Sequence, residues 1–257
     1  MRFASIGSGS AGNGLVVETG NTRILLDCGF GLKDTLTRLA RLDLKAESLD
    51  AIIVTHEHED HASGAFKLAA KLGIPVCLSH GTFKMIENTL PKQHHIQLNI
   101  ICSHSAFEIK DLRITPFPVP HDAREPTQFV FHSHHHKLGV LTDTGCITPH
   151  IELMLNNCDA LILECNHDRQ MLADGPYPES LKKRVSGKLG HLDNQSSANL
   201  LTKINTSQLQ HLVAAHLSHQ NNRPELVKSA LAEALKCDKN WIGIADQNTG
   251  SDWRVCR

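Results

Sequence analysis

At 257 residues the chain is long enough for one large domain with a substantial core. With 40% apolar and 21% charged residues it has the composition of an ordinary globular protein, and a net charge of −1 excludes a global basic field, so any nucleic-acid binding must come from a local patch. No apolar run is long enough to span a bilayer, the first residues lack the apolar stretch of an export signal, and the eight cysteines are scattered without C-x-x-C pairs, so a cytoplasmic protein with reduced, mostly buried thiols is expected.

Taken in chain order, residues 14–19 and 22–27 read as strands joined by a Gly20-Asn21 hairpin turn. Leucines at 32, 36, 39 and 42 have helical spacing. Residues 51–54 form a short buried strand, followed by a His-rich loop and a helix over about 62–72. Strands are expected at 98–101, 106–109, 112–119, 127–131 and 138–142, then a helix at 148–156, a strand at 159–163 and helices near 178–186 and 193–204. A strand over 209–214 ends at His216, and a helix over 223–236 takes Asn222 as its expected N-cap and Pro224 in its first turn. No linker, repeat or low-complexity tract divides the chain, so residues 1–257 read as one domain. The two halves share a style, which implies α/β architecture: two helix-covered sheets packed face to face.

Eighteen histidines outnumber the 8 Phe, 2 Trp and 1 Tyr. Histidine is the commonest metal ligand and acid–base residue, so spacing must decide which of them do chemistry. In Thr55-His56-Glu57-His58-Glu59-Asp60-His61, which follows the strand 51–54, alternate side chains of a near-extended loop point the same way. His56 and His58 therefore converge on one ion while Glu57 and Glu59 point elsewhere. Asp60 and His61, at the start of a helix, can serve a neighbouring ion. Imidazole and carboxylate suit zinc, and also iron or manganese. Further ligands must come from distant sequence, and His121, Asp143 and His216 each follow a predicted strand, where loops carry active-site residues.

The run His56-x-His58-x-Asp60-His61 with the later His121, Asp143 and His216 resembles the metallo-β-lactamase superfamily over nearly the whole chain. Ser8-Gly9-Ser10-Ala11-Gly12-Asn13, Glu164-Cys165-Asn166-His167-Asp168 and Gly190-His191-Leu192 resemble its YycJ/WalJ-like branch, a relative of RNase Z and the PhnP phosphodiesterases. The resemblance implies a four-layer αββα sandwich, two divalent metal ions and phosphodiester hydrolysis of exonuclease type. It implies that His56, His58 and His121 hold one metal, that Asp60, His61 and His216 hold the other, and that Asp143 bridges them. It also implies catalytic roles for Asp60 and for His191 as general acid, with Glu164 orienting the His191 ring. Two metals a few ångströms apart lower the pKa of a shared water to about 7 and neutralise charge on phosphoryl oxygens. The branch often has Ser after Gly-His-Leu; here Asp193 stands there, suited to capping a helix.

Weaker signals remain open. The loop from Gly7 to Asn13 either wraps the metal site, offers backbone N–H groups to phosphate, or is a structural turn. Lys182, Lys183, Arg184 and Lys188 suit either a nucleic-acid backbone or a solvated helix face. Asp174-Gly175-Pro176-Tyr177-Pro178 reads as a short loop. His132, His134, His135 and His136 are expected in an exposed hairpin turn, and His94, His95 and His104 on the surface. His167 either lines the pocket or fixes its loop. The leading function is a metal-dependent nuclease or phosphodiesterase acting on nucleic acid or a small phosphodiester. The alternatives are a hydrolase of small cyclic phosphates, thioesters or lactones, and a non-catalytic regulatory or nucleic-acid-binding protein of the same fold.

Overall fold

The computed structural model describes residues 1–90 and 96–257, so His94 and His95 lie outside the described residues. Six strands build most of the first sheet: β1 (Arg2–Gly7), β2 (Gly14–Thr19), β3 (Thr22–Leu26), β4 (Ala51–Ile53), β5 (Val76–Ser79) and β6 (Leu98–Ile101). Between them run α1 (Leu32–Arg41), α2 (Glu59–Ala62), α3 (Ala65–Leu72) and α4 (His80–Ile86). The second sheet takes β7 (Phe107–Ile109), β8 (Leu112–Pro118), β9 (Thr127–His132), β10 (Lys137–Leu141), β11 (Ala160–Glu164), β12 (His211–Ala215) and β13 (Gly243–Ile244). Its connections carry α5 (Pro149–Leu155), α6 (Arg169–Asp174), α7 (Glu179–Val185), α8 (Asn194–Lys203) and α9 (Pro224–Leu235), and β14 (Arg254–Val255) returns to pair with β1.

Each sheet is antiparallel at one side and parallel at the other. In the first, β1, β2 and β3 are antiparallel and β3, β4, β5 and β6 parallel. In the second, β7 to β10 are antiparallel and β10 to β13 parallel. The hairpin expected at Gly20-Asn21 is present, with Thr19 opposite Thr22.

Strand alternation produces the layers. Phe3, Val17, Ile24, Ile53, Phe129, Phe131, Ala160 and Ile162 point between the sheets into one buried cluster. Their neighbours point outward: Ala4, Val16, Leu25 and Ile52 pack with Leu39 of α1 and Leu68 of α3. On the other side, Val130, Leu161, Leu163 and Leu212 pack with Ile151 of α5, Leu200 of α8 and Leu231 of α9. Because both faces of the central strands are covered, those strands read as continuous apolar runs. The result is the expected four-layer αββα sandwich.

Three expectations change. The helix expected at 62–72 is two helices, interrupted at Ser63-Gly64, where the chain passes so close to Phe30 that a Cβ on Gly64 would lie 1.9 Å from its backbone oxygen. Asn222 is not the cap of α9: Arg223 holds that position, without a side-chain cap bond. Asn222 is instead buried, donating to Cys165 O at 2.7 Å and paired with Asn194 at 2.9 Å, so it ties three loops together. The strand expected over 209–214 is β12, which begins at His211, not Leu209. Asp193 does cap α8, accepting from Gln195 N and Ser196 N. No cysteine forms a disulfide among the described residues, and five of the eight are buried. No helix among the described residues is long and apolar enough to cross a membrane.

Candidate metal centre

In parallel sheets, loops at the carboxyl ends of strands converge, and ligands bind there. Asp27 follows β3, His56 follows β4, His121 follows β8, Asp143 follows β10, Glu164 ends β11 and His216 follows β12. Asp27, Asp143 and His216 take left-handed backbone conformations, with φ of 61°, 51° and 57°. Such strain at non-glycine residues persists where surrounding structure imposes it, and three instances at one set of strand ends mark a built site.

The seven expected ligands come together. His56, His58 and His121 form one group close enough to share an ion, and Asp60, His61 and His216 form another. Asp143 lies between them: its Oδ2 is 3.2 Å from His61 Nε2, and its Oδ1 is 3.4 Å from His216 Nε2 and 4.0 Å from His121 Nε2. Asp60 Oδ2 is 3.4 Å from both His61 Nε2 and His216 Nε2. Glu57, as expected, faces away, accepting from Arg124 N at 2.7 Å.

The other ring nitrogens of His56, His61, His121 and His216 have partners. His61 Nδ1 donates to Asp27 Oδ2 at 2.8 Å, and His121 Nδ1 donates to Gly190 O at 3.1 Å. His56 Nδ1 meets Thr55 Oγ1 at 2.9 Å, and that hydroxyl in turn donates to Asp27. His216 Nδ1 is 3.5 Å from Glu164 Oε1. Anchoring Nδ1 fixes the tautomer and turns Nε2 toward the cluster, the usual support of a metal-ligating imidazole. Sequence reasoning misses Asp27, although a carboxylate at the end of a buried strand is the same cue that marks Asp143.

The residues fit divalent cations. His56 Nε2, His121 Nε2 and Asp143 Oδ2 are buried without a hydrogen-bond partner. Leaving such atoms unpaired costs about 1–3 kcal/mol each. Burial, reinforced by the neighbouring imidazoles, pushes His56 well below the usual histidine range, so it stands ready as a neutral donor. Burial also opposes protonation of His61 and His216, but the carboxylates of Asp143 and its neighbours outweigh it, holding His61 well above that range and raising His216 to about 10. Burial opposes ionisation of Asp60, yet hydrogen bonds from His216 and His61 keep its carboxyl far below the usual range. A pocket that collects protons this way has excess negative charge for a cation to take up, and cation binding would release those protons.

Beside the cluster, His191 Nδ1 donates to Glu164 Oε1 at 2.8 Å. Glu164 Oε2 accepts from Thr144 N and Leu192 N, both at 3.1 Å. Both oxygens of this fully buried carboxylate are therefore engaged in holding the protein, which makes Glu164 an orienting group although it lies within reach of a metal-sized cluster with Asp143, His191 and His216. Burial opposes protonation of His191, and the adjacent Glu164 overcomes it and raises its affinity for the proton. The backbone is tight here: a Cβ on Gly190 would lie 2.2 Å from the oxygens of Arg184 and Val185.

The remaining motifs also find their places. The loop from Gly7 to Asn13 wraps the cluster: Ser8 Oγ accepts from His216 N at 2.9 Å, and Asn13 Nδ2 reaches Asp60 Oδ2 at 3.2 Å and His61 Nε2 at 3.1 Å. His167 is buried outside the cluster and does not line the cavity over it, and its backbone oxygen accepts from Asn194 N. His134, His135 and His136 do sit in the β9–β10 hairpin turn, closed by Ser133 N donating to His136 O, whereas His132 is the last residue of β9 and pairs with Lys137 and Arg113. His104 is exposed. Of the cationic quartet, only Arg184 lines the cavity over the cluster, where it pairs with Asp122 at 2.6 Å; Lys182 pairs with Glu179.

Residues 22–216 match the family model described as the beta-lactamase superfamily domain. The chain is 33% identical to exodeoxyribonuclease YycJ of Bacillus anthracis over 236 residues, covering 92% of this chain and 89% of that one. It is 32% identical to exodeoxyribonuclease WalJ of Streptococcus pneumoniae serotype 2 over 257 residues, covering 99% and 93%. Among solved structures, the metallo-beta-lactamase fold protein YhfI of Bacillus subtilis superposes with a TM-score of 0.76 at 18% identity over 98% of each chain, which speaks for the fold. The chain belongs to the beta-lactamase superfamily, in the branch of YycJ and WalJ.

Proposed function

We propose that this protein is a metal-dependent phosphodiesterase, a nuclease that removes nucleotides from an end of DNA with the help of two divalent cations. The observation that carries this reading is the convergence of two imidazole-rich groups on one buried carboxylate, Asp143, with unpartnered ring nitrogens aimed inward. The names of the two relatives support DNA as the substrate and the exonucleolytic mode.

When bound, a pair of divalent cations supplies a lowered pKa for water and neutralises charge on phosphoryl oxygens. His56, His58 and His121 would hold one cation and Asp60, His61 and His216 the other, with Asp143 within reach of both groups. Zinc suits this nitrogen-rich set, and manganese and iron are the competitors. His191 donates a proton from Nε2 to the departing oxygen, while Glu164 Oε1 holds its Nδ1 proton and fixes the ring. Asp60 orients the His61 and His216 rings as well as binding metal.

The test combines metal analysis of the purified protein with hydrolysis of end-labelled single-stranded DNA, the matching RNA and bis(p-nitrophenyl) phosphate. Two metal equivalents and stepwise release of mononucleotides from DNA are expected. Turnover confined to thioesters, lactones or cyclic phosphates would make the protein a small-molecule hydrolase, and bound metal without any turnover would make it a binding protein.

Asp27 supplies a second check. Asn fits the same volume and tolerates the left-handed backbone at this position. It cannot accept from Thr55 N, Thr55 Oγ1 and His61 Nδ1 as the carboxylate does. Asp27→Asn should weaken metal binding about 10- to 100-fold, read by chelator competition. Wild-type affinity would remove Asp27 from the support of His61.

A further inference from the structure

The cavity over the metal cluster has two unlike sides. His58, Asp60, Asp143 and His216 form the polar side. Tyr177, Leu181 and Val185 also line it. Leu181 and Val185 lie four residues apart on one face of α7, and Tyr177 lies in the loop just before that helix, so the three together give the cavity lining an apolar stripe. All three are only partly buried, which leaves them surface to offer. Tyr177 is the only tyrosine of the chain.

We infer that this stripe is the binding site for the nucleobase of the terminal nucleotide, with Tyr177 as the stacking platform. The inference rests on the phosphodiesterase reading and adds to it the part of the substrate that the metal ligands do not touch. A nucleotide carries an anionic phosphate and a flat apolar ring at opposite ends, and the cavity presents a cation-binding side and an aromatic side to match. The cavity holds about 230 Å³. That is below the roughly 300–1,000 Å³ that encloses a drug-sized ligand, so it takes no more than one nucleotide unit, and the base must leave its stack to enter. A stacking platform accepts every base, because every base has a π-face.

The stripe is tied to the proposed proton donor. His191 N donates to Val185 O at 2.9 Å, and the same helix is braced by Lys182 Nζ on Ala173 O at 2.6 Å. Tyr177 precedes this helix and His191 is hydrogen-bonded to its last residue, so a base seated on Tyr177 lies against the helix that also holds the proposed proton donor.

The probes are two single-stranded oligodeoxynucleotides with phosphorothioate terminal linkages, one with ordinary bases throughout and one with abasic residues at both ends. Both are titrated onto the full-length, metal-loaded protein. Wild type should bind the base-ended strand about 5- to 150-fold more tightly, the range that stacking on one aromatic ring provides. Tyr177→Ala should erase the preference, and Tyr177→Phe should keep it. In protein with ring-labelled tyrosine, the single tyrosine signal should move upfield with the base-ended strand and stay put with the abasic one. Equal binding of the two strands by wild type, a preference that survives Tyr177→Ala, or a tyrosine signal that does not respond would each overturn the proposal. DNA hydrolysis without a tyrosine response would defeat this proposal alone. A tyrosine response without hydrolysis of any diester would uphold it and defeat the nuclease reading. Failure to bind either strand would defeat both.

Discussion

Asp143→Asn is expected to lower phosphodiester hydrolysis on the order of 10³-fold or more and to reduce the bound metal. The carboxylate is 2% exposed, and its two oxygens face the two imidazole groups, Oδ2 toward His61 and Oδ1 toward His216 and His121. An amide has nearly the same size and tolerates the left-handed backbone at this position, so the fold should persist. What changes is charge: the amide offers one weak oxygen donor and turns an NH₂ group toward the cations. Stabilisation of transition-state charge by a properly held metal is worth several kcal/mol, and each 1.36 kcal/mol is tenfold in rate. The variant would be compared with wild type by metal analysis, by kcat on end-labelled DNA and by thermal melting in the presence of chelator. Two bound metals and wild-type kcat would place the shared ligand elsewhere, while an unfolded variant would call for Asp143→Glu as the second substitution.

The core of the candidate site is legible in the amino-acid sequence because its residues obey local rules. His56, His58, Asp60 and His61 fall within six consecutive positions after a buried strand, and His121, Asp143 and His216 announce themselves as strand-end residues. The αββα layering is legible for the same reason, since runs such as Ala160-Leu161-Ile162-Leu163 are apolar on both faces and need covers on both sides. The supporting network is much less legible. Asp27 reaches His61 across 34 positions and Ser8 reaches His216 across 208, and no periodicity encodes such pairs. β1 escapes notice because Ser5 and Gly7 interrupt its apolar pattern while being buried themselves. Asn222 misleads because a polar residue shortly before a helix-opening proline reads as a cap, whereas its partners are Asn194 and Cys165 O from other parts of the chain. Tyr177 reads as a loop residue and is one, in the loop before α7; that it lines the cavity over the histidine cluster is set by tertiary folding that no local pattern encodes.

His191→Ala is expected to cost about 10²–10⁴ in rate on DNA, the usual contribution of a general acid. Geometry supports the proposed role of His191. Its Nδ1 is committed to Glu164, and its side chain is 22% exposed, whereas those of His61 and His216 are 1% and 4% exposed. Its other nitrogen is therefore the end of the ring that substrate can reach, in the same cavity as the cluster. A deoxyribose alkoxide leaves poorly at neutral pH and needs a proton; nitrophenolate leaves unaided. The loss should accordingly be much smaller on bis(p-nitrophenyl) phosphate, with bound metal unchanged. Glu164→Gln should follow the same pattern for a different reason. A glutamine must set either its NH₂ against the Thr144 and Leu192 N–H donors or the same group against His191 Nδ1, so one of the two anchors is lost. The measurement is kcat on both substrates, with metal content and melting temperature recorded for each variant. Equal losses on DNA and on the nitrophenyl diester, or a drop in bound metal, would make His191 a ligand or a structural residue and leave the leaving oxygen to be protonated by another group.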